Sequence, residues 1–151
     1  MKKAEKKDES AAVAEANDEL FAFTCTSDYV AAAEALHIPR SRLGACIDSG
    51  ASRHYCPDRA KFENYRPING RNITTADGRT LKAVGMGDVR IELPNGSKRT
   101  KALLKDAIYA PDMAFTLISI SRLDEAECFV GFHKGMCTIK DPAGHTMATI
   151  P

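Results

Sequence analysis

The pattern of hydrophobic and polar positions from residue 43 onward predicts short strands separated by turns. Residues 43–47 form an apolar run, and residues 88–93 alternate apolar with polar side chains. That period of two is typical of a strand buried on one face. Residues 72–76 and 80–84 flank the sequence Asp77-Gly78-Arg79. An Asp-Gly step between two such runs predicts a β-hairpin.

Turn signals divide the remainder of the chain in the same way. Residues 94–97 read Pro-Asn-Gly-Ser, which predicts a turn, and residues 98–109 then form the returning strand. Residues 115–120 predict an apolar strand, and residues 121–126 a short helix. Three final strands are predicted around residues 128–132, 136–140 and 146–150. The pattern therefore predicts an antiparallel all-β domain with one or two short helices.

The N-terminal residues differ in composition from the rest of the chain. We therefore divide the chain into a tail or linker, residues 1–40, and a domain, residues 41–151. Residues 1–19 are rich in Lys, Glu, Ala and Asp, which predicts a flexible or partly helical tail. Residues 27–37 predict one short helix that ends before Pro39. The four lysines among the first seven residues leave open a weak RNA contact or a solvated surface run.

Composition excludes several classes of protein. The 151 residues are 44% hydrophobic and 27% charged with a formal net charge of +1, so no strongly basic face for nucleic acid is expected. No apolar run approaches the ~20 residues that span a membrane, and Met1 is followed by charged residues rather than a signal sequence. Five widely spaced cysteines without a Cys-x-x-Cys pair argue against a disulfide framework or a zinc site. We expect a cytoplasmic protein without membrane contact.

The sequence CIDSGASRHYCPD, residues 46–58, raises a chemical question. Asp48 follows an apolar strand and precedes Ser49, Gly50 and Ala51. A carboxylate near a buried strand is costly unless it is paired or hydrogen-bonded. One interpretation is an ordinary turn in which Asp48 accepts backbone N–H groups. The other is that the position of Asp48 serves catalysis.

Three runs in this order resemble a known family. They are DSGASRHYCPDRAKF at residues 48–62, ITTADGRTLKAVGMGDVRIELPNG at residues 73–96 and LKDAIYAPDMAFTLISISRL at residues 104–123. Together they are similar to a retropepsin, the dimeric aspartic protease of retroviruses and LTR retrotransposons. More narrowly, they resemble the protease region of a Ty1/copia-type Gag-Pol polyprotein. The resemblance covers residue 43 to the C-terminus and implies a retropepsin-like closed antiparallel β-barrel.

The resemblance implies a reaction and a partner. Asp48 would be the catalytic residue of an aspartic endopeptidase, in which two carboxylates share one proton around a water molecule. The chain contains one Asp-Ser-Gly, so the second Asp48 would come from another copy in a homodimer. The reaction requires no metal and no cofactor. Its substrate would be polypeptide segments of Gag-Pol, and the protein would be associated with a virus-like particle in an active element.

The resemblance also implies roles for other residues. Ser49, Gly50 and Ala51 would complete the active-site loop. Ala76, Asp77 and Gly78 would form the tip of a flap over the substrate. Leu117, Ile118 and Ser119 would form a supporting strand behind the loop. Retroviral enzymes usually have Gly at the position of Ser119 and a flap richer in glycine.

The sequence also permits other functions. A catalytically inert retropepsin-like barrel would act as a folded spacer or dimerisation module of the polyprotein. A third interpretation is a nucleic-acid-associated fragment that uses the Lys-rich N-terminus. His54 and Cys56 also suggest metal or thiol chemistry, but neither has a second pair of residues at ligand spacing. A structural His54 that orients the loop is the competing interpretation.

Overall fold

The computed structural model describes residues 20–22, 35–37 and 44–151. These residues form ten strands, β1 to β10, one α-helix, α1 (Ile120–Glu125), and a 3-10 turn (Arg59–Lys61). The strands are β1 Leu20–Ala22, β2 Ala45–Asp48, β3 Tyr55–Cys56, β4 Phe62–Thr75, β5 Thr80–Asn95, β6 Lys98–Tyr109, β7 Thr116–Ser119, β8 Phe129–His133, β9 Met136–Lys140 and β10 Thr146–Ile150. The prediction of an all-β domain is confirmed.

All ten strands belong to one sheet that curls into a half-barrel. The hydrogen-bonded order is β2-β7-β3-β6-β5-β10-β9-β8, with β4 joined to β5 and β1 joined to β4. In the described part of the chain, no pairing joins the end strands β2 and β8. The barrel is therefore open along one side.

The predicted pairing directions are only partly right. The long β4–β5 and β5–β6 hairpins are antiparallel, as are β8–β9 and β9–β10. Four pairings are parallel: β1–β4, β2–β7, β3–β6 and β5–β10. The predicted all-β barrel is present, but its pairing is mixed and it is open rather than closed. The parallel β2–β7 pair arises because the chain leaves β2, folds the long hairpins and returns beside β2 as β7. Strand periodicity reports which face is buried and not the direction of the neighbouring strand.

The two predicted hairpin turns and the buried face of residues 88–93 are confirmed, whereas the apolar run before Asp48 is less buried than expected, since no residue of β2 is fully buried. Gly78 and Gly96 occupy the two hairpin turns with φ of 79° and 63°, a region that favours glycine. In β5, Val89, Ile91 and Leu93 are buried, whereas the two residues between them are exposed. Strand β6 has the predicted bounds, and α1 lies one residue earlier than predicted.

The core consists of two clusters of buried residues. The loop cluster contains Leu20, Ala22, Ala51, Tyr55, Ile73, Ala83, Ile108, Ala110, Met113 and Leu117. The cleft cluster contains Cys56, Phe62, Val89, Ile91, Leu93, Leu104, Ala107, Ile118, Cys137, Ile139 and Ala148. Strand β7 contributes to both clusters, through Leu117 and Ile118, since adjacent side chains of a strand point to opposite faces.

Two glycines of β5 allow β4 to pack closely across it. A Cβ atom at Gly85 would collide with the ring of Tyr65, and one at Gly87 would lie 2.8 Å from the carbonyl oxygen of Glu63. Tyr65 packs edge to face against Phe62 and Tyr109, with ring centroids 5.8 and 6.0 Å away. The small residues at 85 and 87 thus make room for an aromatic cluster on this face of the sheet.

Strand β1 was not predicted from the sequence. It pairs in parallel with β4, with Leu20 opposite Ile73 and Ala22 opposite Thr75. Leu20 and Ala22 are 3% and 2% exposed, so part of the segment assigned to a tail belongs to the core. The Lys-rich run and most of the predicted helix lie outside the described residues, and both stay predictions.

Membrane contact was not expected from the sequence. Among the residues that the structure describes, no helix combines the length and apolar character needed to cross a membrane.

Replacing Leu20 by alanine tests whether β1 is part of the folded domain. Because the Leu20 side chain is buried against the loop cluster, we expect Leu20→Ala to lower the free energy of unfolding by about 2–3 kcal/mol. Urea denaturation monitored by circular dichroism measures this change. Leu103→Ala, at a 37% exposed position of β6, is the matched control and should have a smaller effect. Equal effects of the two substitutions would contradict a packed β1.

Candidate active site

Asp48 lies at the end of β2, beside the end of β7. The two strands run parallel, with Asp48 opposite Ser119. Asp48 is half-buried, and Ser49 next to it is exposed. The backbone N–H of Gly50 donates a hydrogen bond of 2.8 Å to Oδ1 of Asp48. This bond between residues i and i+2 turns the chain sharply and orients the carboxylate.

Ser119 connects the Asp48 loop to the strand and helix behind it. It is completely buried, and its hydroxyl donates a 2.6 Å hydrogen bond to the carbonyl oxygen of Ala51. The same hydroxyl oxygen accepts a bond of 3.3 Å from the N–H of Arg122 and so caps the N-terminus of α1. The hydroxyl of Ser121 lies 2.9 Å from it. A single side chain thus orders both the loop and the helix.

His54 holds the loop from its other end. The backbone N–H of Ser119 donates a 3.0 Å hydrogen bond to Nδ1 of His54, so Nδ1 carries no proton and the imidazole is neutral. Burial, together with the positive charge of Arg122, lowers the pKa of His54 to about 4. The carbonyl of His54 accepts a further bond of 2.8 Å from the N–H of Ile108. These contacts favour the structural interpretation of His54.

Cys56 is buried two residues further along the chain, in β3. Burial raises the pKa of the Cys56 thiol, and the hydroxyl of Thr116 donates a hydrogen bond of 3.5 Å to its sulfur. A thiol with a raised pKa is a poor nucleophile near neutral pH. In the described part of the chain, no group of three or more His, Cys, Asp or Glu side chains is arranged to hold a metal ion.

The predicted supporting strand packs directly behind the Asp48 loop. Leu117 and Ile118 are 0% and 2% exposed. Leu117 lies opposite Cys46 on one side and Tyr55 on the other, and Ile118 lies opposite Ile47. The structure therefore brings residues 117–119 together with β2 and with the loop that follows it.

The predicted flap is the tip of the β4–β5 hairpin. Ala76, Asp77 and Gly78 are all exposed. Oδ1 of Asp77 accepts hydrogen bonds from the Thr75 hydroxyl at 2.5 Å and from the N–H of Arg79 at 3.1 Å. These bonds, with the Arg79 guanidinium, lower the pKa of Asp77 to about 2. Asp77 therefore stabilises the turn in which it lies.

The part of this hairpin next to its turn shares a core with the Asp48 loop. Ile73 and Ala83, near the turn-side ends of β4 and β5, belong to the loop cluster together with Ala51. The exposed residues 76–78 are not members of that cluster. The hairpin is thus anchored beside the loop almost to its turn, where the Ala76 N–H donates a 3.1 Å hydrogen bond to the Ala22 carbonyl.

A cleft of about 1170 Å³ lies on the open side of the barrel. Its lining includes Ala45 and Ile47 of β2, Ile118 of β7, and Phe132 and Met136 from the opposite end of the sheet. Asp48 and the hairpin tip do not line it. This cleft and the Asp48 loop are therefore separate features of the fold.

Sequence reasoning missed the polar contacts on which the loop depends. It noted Ser119 and His54 but did not pair them, and it did not single out Ser121 or Thr116. A serine directly before a helix is a recognisable capping signal, so the role of Ser119 at α1 could have been read from the sequence. Its contacts with Ala51 and His54 join residues 68 and 65 positions apart, which no local pattern reports.

Replacing Ser119 by alanine tests its structural role. The substitution removes the helix cap and leaves the buried carbonyl of Ala51 without its 2.6 Å donor. We expect the free energy of unfolding to fall by about 1–3 kcal/mol. Urea denaturation compares this variant with Ser97→Ala, a change at an exposed turn residue. A fall no larger than that of Ser97→Ala would contradict the role.

The low pKa of His54 makes folding stability dependent on pH. An unfolded histidine takes up a proton near pH 6.5, whereas folded His54 does so only near pH 4. Stability is therefore complete above pH 6.5 and falls as the pH is lowered towards 4, by a total on the order of 3 kcal/mol. Urea denaturation at a series of pH values measures this slope.

His54→Asn is the matched variant for this measurement. The amide oxygen of asparagine can accept the Ser119 N–H bond that Nδ1 accepts now, but the amide does not titrate. We expect the free energy of unfolding of this variant to lack the His54 contribution to its pH dependence between pH 4 and pH 6.5. The shifted carboxylates such as Asp88 are common to both proteins and cancel in the comparison. Parallel pH profiles would contradict the assignment to His54.

Comparison with known proteins identifies the domain. A family model described as "Pol polyprotein, beta-barrel domain" matches residues 45–128. A search of curated proteins found no match. The matched region begins at β2, includes the Asp48 loop, the hairpin and Ser119, and covers more than half of the 151 residues. The chain therefore belongs to the family of Pol polyprotein β-barrel domains.

Proposed function

We propose that this domain is an aspartic endopeptidase that processes the polyprotein to which it belongs, as the protease region of a Ty1/copia-type Gag-Pol would. It works as a homodimer, with one Asp-Ser-Gly, residues 48–50, from each copy. The observation that carries this proposal is the placement of Asp48. Its carboxylate is half-buried at the end of the end strand β2, in a loop held by a buried serine and a neutral histidine.

The geometry of Asp48 suits the proposed chemistry. The Gly50 N–H at 2.8 Å orients one carboxylate oxygen, and incomplete burial leaves the group within reach of a substrate. With Asp48 of a second copy beside it, the two carboxylates share one proton. The ionised carboxylate then takes a proton from the attacking water while the protonated one donates to the peptide. The water attacks directly, so no covalent intermediate forms.

The surroundings of the loop supply the rigidity that catalysis needs. Ser119 fixes the Ala51 carbonyl, and His54 accepts from the Ser119 amide. Because both groups are buried, these hydrogen bonds are shielded from exchange with water. Ser49 remains exposed beside Asp48 and is available to the loop of a second copy. Fixed neighbours around one partly exposed reactive group are the arrangement expected of a preorganised site.

A second candidate function has its own support. The Gly50 bond to Asp48 is the ordinary bond of an Asx turn, and Asp48 does not line the large cleft. Both observations suit an inert β-barrel in which Asp48 only shapes the turn. Such a domain would act as a folded spacer or a dimerisation module of the polyprotein.

Self-processing of a longer polyprotein that carries this domain distinguishes the two candidates. We expect Asp48→Asn to reduce cleavage by roughly 100-fold or more, because it removes a group that must gain and lose a proton. The wild type should cleave fastest at acid to mildly acidic pH and slow as both carboxylates ionise. Gel analysis of the fragments across this range measures both effects. The processing would take place in the cytoplasm, within a virus-like particle if the element is active.

Asp112→Asn is the matched control, since Asp112 is an exposed aspartate outside the loop. It should cleave at the wild-type rate. Equal fragment yields from wild type and Asp48→Asn, with both proteins folded by circular dichroism, would favour the inert barrel. A rate that rises through neutral to alkaline pH would also contradict an aspartate pair.

A further inference from the structure

Strand β8 is an end strand of the sheet, and no described strand pairs with its outer edge. Among the described strands it pairs only with β9, in a continuous register from Phe129 opposite Lys140 to His133 opposite Met136. No bulge interrupts this register. The strand reads Phe-Val-Gly-Phe-His and contains no lysine, proline or acidic residue. Edge strands usually carry such features because they prevent pairing with other chains.

The long strand β4 carries charged residues and a proline, including Glu63, Arg66 and Pro67, that oppose pairing along its outer edge. Strand β1 covers part of the edge of β4, at Ile73–Thr75. Strand β2, at the far end of the sheet, ends in the carboxylate of Asp48. Strand β8 therefore combines an end position, a length of five residues and the absence of lysine, proline and acidic residues.

Two phenylalanines on β8 are unusually exposed. Phe129 and Phe132 are 57% and 65% exposed, and the remaining large hydrophobic residues that are exposed among those described are Leu36 and Leu103. Phe132 lines the open cleft of the barrel. The Phe129 ring lies on the other face, 5.7 Å from Nζ of Lys140. Exposed aromatic side chains on both faces of one end strand indicate an interaction surface along its edge.

We propose that β8 pairs with β8 of a second copy of this chain, antiparallel, around a two-fold axis at Gly131. This register places Phe132 opposite Val130 of the partner copy and Phe129 opposite His133 of the partner copy. Each aromatic ring thereby gains a cross-strand neighbour. The surface lies on the opposite end strand from Asp48, so this interface is distinct from the one that catalysis requires.

The charges at the ends of the strand favour the antiparallel arrangement. Glu127 precedes β8 and Lys134 follows it, and both are exposed. In this register Glu127 of each copy lies opposite Gly135 of the partner copy, so that Lys134 of the partner copy is one position away, at both ends of the interface. Parallel pairing in register would place like charges together, which is unfavourable. Charge complementarity thus selects a second copy in one orientation.

The area of this interface predicts its strength. The exposed parts of four phenylalanine rings amount to on the order of 500 Å² of apolar surface. Stable interfaces between proteins bury about 1,200 Å² or more. The pairing is therefore expected to be weak and dependent on concentration. A polyprotein packed at high local concentration would favour it.

A charge exchange tests the proposal. Sedimentation of the full chain measures association over a roughly hundredfold range of concentration, in an Asp48→Asn background that excludes self-cleavage. We expect Glu127→Lys alone and Lys134→Glu alone each to weaken association by about tenfold, because each replaces two attractions with two repulsions. The double variant restores the complementary pairs and should associate like the parent protein.

Phe132→Lys, which removes an exposed ring from β8, should also abolish the pairing. Leu103→Lys is its matched control, a charge introduced at an exposed apolar position of β6. Association that is insensitive to the single charge changes, or that does not recover in the double variant, would overturn the proposal. If β8 instead pairs with β2 of another copy or with a different protein, association should not recover in the double variant.

The protease proposal and the interface proposal can be contradicted independently of each other. Association through β8 is measured with Asp48 already replaced, so it does not depend on cleavage. Processing by a wild-type chain whose association does not respond to the β8 substitutions would overturn only the interface. Association without any processing by the wild-type chain would count only against the protease.

Discussion

The end of β2 depends on the hydrogen bonds of one buried residue, Ser119. Its hydroxyl binds the Ala51 carbonyl, its oxygen caps α1, and its amide donates to His54. These bonds join a loop, a strand and a helix that no continuous stretch of chain unites. Because each of the groups is shielded from water, loss of any bond leaves a partner that water cannot readily satisfy. The position of Asp48 follows from this arrangement.

The same arrangement limits the pH range in which the proposed chemistry can operate. An aspartate pair works best under acidic conditions, where one proton is shared. His54 can accept from Ser119 only while Nδ1 is unprotonated, which its pKa of about 4 ensures down to that value. The lower limit for an intact loop is therefore set by a histidine that takes no part in catalysis.

The sequence predicts local features of this fold well and distant contacts poorly. The Asp77-Gly78 turn and the bounds of β6 are determined by neighbouring residues, and both were predicted. The parallel pairing of β2 with β7 depends on segments about 70 residues apart, so strand periodicity could not reveal it. Asp48 was identified as a candidate by motif, but the contact between His54 and Ser119 arises only from tertiary packing.

Strand β1 has a practical consequence for where this domain begins. The family match starts at residue 45, at the first residue of β2, yet Leu20 and Ala22 complete the core beside Ile73. A fragment cut at the family boundary would present the edge of β4 and its apolar neighbours to solvent. Such a fragment would be prone to aggregate. A fragment for expression and crystallisation should therefore begin before Leu20, some twenty-five residues upstream of residue 45, where the family match starts.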